Sequence, residues 1–131
     1  MEAQRRANGG DRAMSELTTQ RCEPCSGNAP AVSDAELAEL KPQVPDWQIR
    51  DSGGERYLER VFKFPDFQTA LNFTNRVGEA AEQQGHHPAL LTEYGRTTVS
   101  WWTHAISDLH KNDFIMAAKT DEIARQFPLK N

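Results

Sequence analysis

All four histidines of the chain lie in one stretch, Glu82 to Asp113, which reads EQQGHHPALLTEYGRTTVSWWTHAISDLHKND. Histidine, with an unperturbed pKa of about 6.5, can both give and take a proton near neutral pH. Three of these imidazoles, His86, His87 and His104, fall beside expected element ends, with Glu82 and Asp113 as the accompanying carboxylates. That is a set suited to general acid–base work. Each residue alone has a plainer reading: an adjacent histidine pair in a loop is often solvated, and a strand-end histidine often bonds to backbone. His110 reads as a solvated helix residue. Convergence changes the weighing. Gly85 before the pair and Pro88 after it can turn the chain sharply enough for both rings to face one pocket. A helix end, a hairpin end and the next helix start would then border one mouth of a sheet.

Other chemistries fit less well. Three imidazoles with Asp113 could hold zinc with one open position, but no His-x-x-x-His pattern places two ligands on one helix face. The two cysteines, Cys22 and Cys25, form C-E-P-C in an N-terminal arm, away from the histidines. They read as loosely held thiols, with metal or redox use as the alternative. No glycine-rich phosphate loop is present. Trp101 and Trp102 read as core and wall, one of them able to line a flat apolar pocket.

The elements that must position these residues follow from periodicity. Residues 1–32 carry few large apolar side chains, and the reading there is a flexible arm. The folded domain is expected over 33–131. Ser33-Asp34-Ala35-Glu36 fits a capping box, Leu37 and Leu40 give a short helix its apolar stripe, and Pro42 and Pro45 end it. Residues 46–50 and 55–64 alternate apolar and polar around a Gly53-Gly54 turn, with Leu58, Arg60, Phe62 and Phe64 on the expected core face. After Pro65, Asp66 is an N-cap for a helix whose stripe is Phe67, Ala70, Leu71, Thr74, Val77 and Ala81, widened by Phe73 and Ala80. Gly85 suits the left-handed turn at its end. Residues 89–94 and 96–103 form a second hairpin around Gly95. A last helix, near 109–127, stops before Pro128. The order is α-β-β-α-β-β-α. Hairpins in place of crossovers imply an α+β domain: a four-stranded antiparallel sheet with helices packed on one face. Its edge strands, or its helices, would serve a homodimer or homotetramer.

Composition limits the partners. The chain has 131 residues, 37% hydrophobic and 26% charged, with a formal net charge of −4. One soluble domain is expected. Without a basic cluster in the folded part, nucleic acid is not an expected ligand. No apolar run approaches the roughly 20 residues of a membrane helix, and no apolar core follows Arg5-Arg6 as a leader would need. A cytoplasmic protein is the expectation.

Several motifs now combine: E-Q-Q-G-H-H-P from Glu82 to Pro88, Tyr94, T-H at Thr103-His104, and Asp113. Together they resemble the signature of the pterin-4a-carbinolamine dehydratases, over about Ser33 to Phe127. C-E-P-C, D-W-Q-I, F-T-N-R-V-G-E, G-H-H-P-A-L-L-T-E and H-K-N-D-F-I-M-A-A-K-T-D-E further resemble the bacterial branch that works beside phenylalanine hydroxylase. The resemblance implies dehydration of 4a-hydroxytetrahydrobiopterin to quinonoid dihydropterin, with no metal, nucleotide or flavin cofactor. It implies that His86, His87 and His104 are catalytic, His87 and His104 being the main acid–base pair. Glu82 and Asp113 would orient the imidazoles, and Gly85, Pro88, Trp102, Thr103 and Ala105 would border the pterin. Where the family often carries an aromatic residue two positions after the proline, this chain has Leu90, implying a softer wall. The family's animal members also serve as dimerisation partners of a transcription factor; the counterpart here would be a binding module acting on a partner such as the hydroxylase.

Overall fold

The computed structural model describes residues 17–23, 27 and 29–130. Helix α1 spans Asp34–Leu40, strands β1 and β2 Gln48–Ser52 and Glu55–Lys63, helix α2 Phe67–Gln84, strands β3 and β4 Ala89–Glu93 and Arg96–Trp101, and helix α3 Lys111–Ala124. A 3-10 turn, Lys41–Gln43, follows α1. The fold is the expected α+β one. Local chemistry starts each helix. The Ser33–Glu36 capping box forms in both directions, and the Asp66 carboxylate accepts from the Thr69 amide at 2.7 Å.

The four strands form one antiparallel sheet in the order β1-β2-β4-β3. The two hairpins therefore join along their second strands, with Leu58 opposite Trp101 and Phe62 opposite Thr97. Period-two alternation sends Leu58, Phe62, Val99 and Trp101 to the helix side, where all are buried. Arg60, on the same face, pairs with Asp121 at 2.7 Å, and its guanidinium lies 4.3 Å from the Phe62 ring centroid. On the opposite face of the sheet, Val61 and Leu91 are exposed.

Helix α2 is rotated from the expected stripe. Phe73 is fully buried against Phe62 and Phe64, with ring centroids 4.8 and 5.0 Å away, whereas Phe67 is 44% exposed. Phe62 on β2 and Phe64 just after it draw Phe73 to the centre, and Thr74 bonds to Thr92 and Thr97 of the second hairpin. Helix α3 is buried on most of its circumference, from Asn112 through Ala118. It lies against the sheet, α2 and α1, and residues of the N-terminal segment close over it.

Part of the expected arm thus packs on the domain. Leu17 is buried in the core, residues 17–19 are helical, and the Val32 amide donates to the Leu109 carbonyl at 2.8 Å. Further bonds hold it, from the Cys22 amide to Gln84 and between the Glu23 backbone and the Asn112 side chain. Cys25 lies outside the described residues.

Candidate active site

Helix α2 ends at Gly85, whose φ of 63° is left-handed. Its amide turns back to the Ala81 and Glu82 carbonyls, and the His86 amide donates to the Ala81 carbonyl at 3.1 Å. This terminating turn drives His86 inward and His87 outward. His86 is 8% exposed, its ring stacked on Trp101 at 5.8 Å and 11°, while His87 is exposed.

The buried imidazole meets a buried carboxylate. His86 Nε2 lies 2.7 Å from Asp113 Oδ1. Asp113 Oδ2 accepts from Thr103 Oγ1 and from the His110 amide, each at 2.9 Å. An ionised carboxylate only accepts, so His86 Nε2 carries the proton of this bond and Nδ1 is the ring's other functional atom. His87 Nε2 lies 2.7 Å from Glu82 Oε1, a pair exposed to solvent. His104 Nε2 lies 3.2 Å from the His87 carbonyl oxygen. A carbonyl likewise only accepts, so His104 donates there and presents Nδ1 elsewhere. The His104 ring leans on Trp102, with centroids 4.5 Å apart.

The turn bearing His104 is itself tied down. A β-bridge joins Thr103 to Asp108, and Ser107 takes a positive φ of 51° within the turn. Asp108 receives both sides of the Arg56 guanidinium from β2, at 2.8 and 3.1 Å. Hydrogen bonding from Arg56 holds the Asp108 carboxyl below the usual carboxylate range, against the opposing effect of burial.

These elements border an open cavity of about 390 Å³ lined by Glu23, Gly85, His86, His87, Thr103, His104 and Ala105. Pockets that hold small molecules run from about 300 to 1,000 Å³. All three expected histidines, with Gly85, Thr103 and Ala105, border it. Pro88 and Trp102 do not. Trp102, just past the end of β4, meets Tyr57 edge-on and lines a separate hollow of about 290 Å³. Glu82 and Asp113 stand behind the imidazoles they touch. Among the described residues, no three His, Cys, Asp or Glu side chains gather as metal ligands would. No helix there is long and apolar enough to cross a membrane.

Comparison with known proteins decides the family. Residues 30–123 match the family described as "Pterin 4 alpha carbinolamine dehydratase". The chain belongs to this family. It is 58% identical over 112 residues to the "Putative pterin-4-alpha-carbinolamine dehydratase" of Nitrosococcus oceani, covering 86% of this chain and 99% of that one. It is 61% identical over 110 residues to the "Putative pterin-4-alpha-carbinolamine dehydratase 1" of Gloeobacter violaceus, covering 84% and 95%. The fold is similar to a crystal structure titled transcriptional coactivator/pterin dehydratase, from Brucella melitensis. That likeness has a TM-score of 0.65 at 32% identity, covering 72% of this chain and 99% of that one.

Residues that sequence reasoning missed come from far along the chain. Glu23 reaches the cavity through a contact with Asn112 that spans 89 positions, and Arg56 reaches Asp108 across 52. His110 is no bystander on a helix surface. It is the N-cap of α3, and its Nδ1 accepts from the Asn112 amide at 3.0 Å. The capping box it shares with Asp113 was legible in principle, because a polar residue stands three before an acid at a helix start.

Proposed function

We propose that this member of the dehydratase family removes water from a 4a-hydroxytetrahydropterin to give the quinonoid dihydropterin. The observation that carries the reading is the meeting of His86, His87 and His104 around one cavity of about 390 Å³. As the C4a–oxygen bond breaks, an acid gives its proton to the departing hydroxyl, which leaves as water. The electron pair of the N5–H bond forms the C4a=N5 double bond, and a base takes the N5 proton. Exchange with solvent then restores both groups. His87 and His104 form this acid–base pair, each transfer contributing about 10²–10⁴-fold. His86, fixed by Asp113 and Trp101, positions the heterocycle. In this reading Glu82 orients His87 and the Arg56–Asp108 pair steadies the His104 turn.

The chemistry implies neighbours in a reaction sequence. A hydroxylase that oxidises a tetrahydropterin, such as phenylalanine hydroxylase, supplies the substrate, and a reductase consumes the product. The purified chain is therefore expected to speed the loss of the 4a-hydroxy intermediate's ultraviolet absorbance, equally with and without chelator. An unchanged rate would overturn the reading, and loss of the acceleration with chelator would make it a metal enzyme.

A second reading rests on the sheet face away from the helices, where Val61 is 45% and Leu91 57% exposed. Such a face suits assembly with a second copy or a partner protein. It predicts a dimer or tetramer by light scattering, independent of the histidines.

A further inference from the structure

The three imidazoles of the site are held in different ways. His86 has the Asp113 carboxylate at 2.7 Å and the Trp101 ring stacked on it. His87 has the Glu82 carboxylate at 2.7 Å. Among the described residues no carboxylate bonds to His104, whose polar anchor is the bond from Nε2 to the His87 carbonyl at 3.2 Å. One hydrogen bond fixes a point and leaves the ring free to swing about it. A flat neighbour supplies the missing restraint: Trp102 lies against the His104 ring, with centroids 4.5 Å apart and planes 31° from parallel. Thr103, between the two, turns inward to Asp113, and its backbone is bridged to Asp108. Alternation along this extended stretch puts Trp102 and His104 on the side opposite Thr103. The indole is itself braced. Tyr57 meets it edge-on at 6.4 Å and 65°, and Arg56, the preceding residue of β2, grips Asp108 in the His104 turn. Two adjacent β2 residues thus hold the indole and the turn that carries the imidazole.

We propose that Trp102 is a positioning residue, which holds the plane of the His104 imidazole, and with it the direction of Nδ1, without touching the pterin. For its effect on rate this inference rests on the dehydratase reading above. The family resemblance implies a place for Trp102 on the pterin-binding edge, yet Trp102 does not line the histidine cavity. Its route to the reaction is the ring of His104. Proton transfer depends steeply on alignment, and a misplacement of about 1 Å can cost about 10²-fold. Trp101 and Trp102, adjacent in sequence, then brace one histidine each. Trp101 stacks on His86 in the core, and Trp102 stacks on His104 at the surface.

The test uses the full chain with Trp102→Leu, which keeps apolar bulk and removes the flat face, and Trp102→Phe, which restores a smaller one. Trp102→Leu is expected to lower kcat about 10-fold or more, with KM held within about twofold, and Trp102→Phe to recover most of the loss. Added to His104→Ala, Trp102→Leu should change kcat no further, because two residues acting through one contact are not additive. Proton magnetic resonance gives a readout independent of turnover. The His104 Cε1 proton, assigned by its absence from His104→Ala, lies under the indole ring current and should move downfield in Trp102→Leu. A raised KM at unchanged kcat would make Trp102 a pterin contact. An equal further loss in the His104→Ala background, or an unmoved resonance, would show that Trp102 does not act through His104. Each of these results overturns the assignment of Trp102 and leaves the dehydratase reading standing. A wild type that does not speed dehydration overturns that reading, and the positioning role falls with it.

Discussion

Asp113 Oδ1 lies 2.7 Å from His86 Nε2, with the carboxylate fully buried and the ring nearly so. The same carboxylate fixes Thr103 and caps α3 through the His110 amide. One acid thus joins the end of α2, the end of β4 and the start of α3. The three chain segments that carry the histidines are held to one another by it.

Replacing Asp113 should therefore damage stability and activity together. Asp113→Ala leaves a buried imidazole and a buried hydroxyl without their acceptor, at a cost of about 3 kcal/mol. Urea denaturation reads this as a lower midpoint at an unchanged slope. A midpoint equal to the wild type would show that the carboxylate does not organise the site.

Gly85 tests the turn that separates the two adjacent histidines. A Cβ there would meet nothing within 4 Å, so the penalty comes from the left-handed backbone alone. Gly85→Ala is expected to cost about 1–2 kcal/mol, and Gly85→Asn less, since asparagine tolerates this conformation better. Equal melting temperatures for the two variants would contradict the account of this turn.

The Arg56–Asp108 pair predicts a shape for the acid limb of stability. Arg56 holds the Asp108 carboxyl below its ordinary pKa. The folded value is thus lower than the unfolded one, about 3.9. Its contribution is full above the unfolded value and fades as pH falls through the folded one. Arg56→Gln should lower stability near neutral pH and flatten the decline on acidification. Denaturation curves collected between roughly pH 6 and pH 2 would reveal it. An acid limb parallel to that of the wild type would rule the pair out as its source.

Much of the fold was legible because its signals are local. The Ser33–Glu36 box, the Asp66 cap, the Gly85 stop and the alternation through Leu58 and Phe62 each act within a few residues. The order of strands was not local. Pairing of β2 with β4 depends on which hydrophobic faces meet α2 and α3, and no turn residue encodes it. The placement of Glu23 beside the histidines was likewise hidden, because the Asn112 side-chain amide that binds its backbone comes from the far end of the chain. Trp102 illustrates the reverse. Its neighbour Trp101 took the core side of β4 against His86, and alternation then sent Trp102 to the open face. Phe67 and Phe73 show the same limit on a helix: both fit an apolar stripe, and only the position of Phe62 and Phe64 selects Phe73 for the core.

The most direct measurement is the dehydration rate of the 4a-hydroxytetrahydropterin with His87→Ala and His104→Ala beside the wild type. Both side chains are exposed, so circular dichroism should report folds and melting temperatures close to the wild type. Each variant is expected to lose about 10²–10⁴-fold in kcat. Wild-type rates in both would contradict the claim that these imidazoles move the protons.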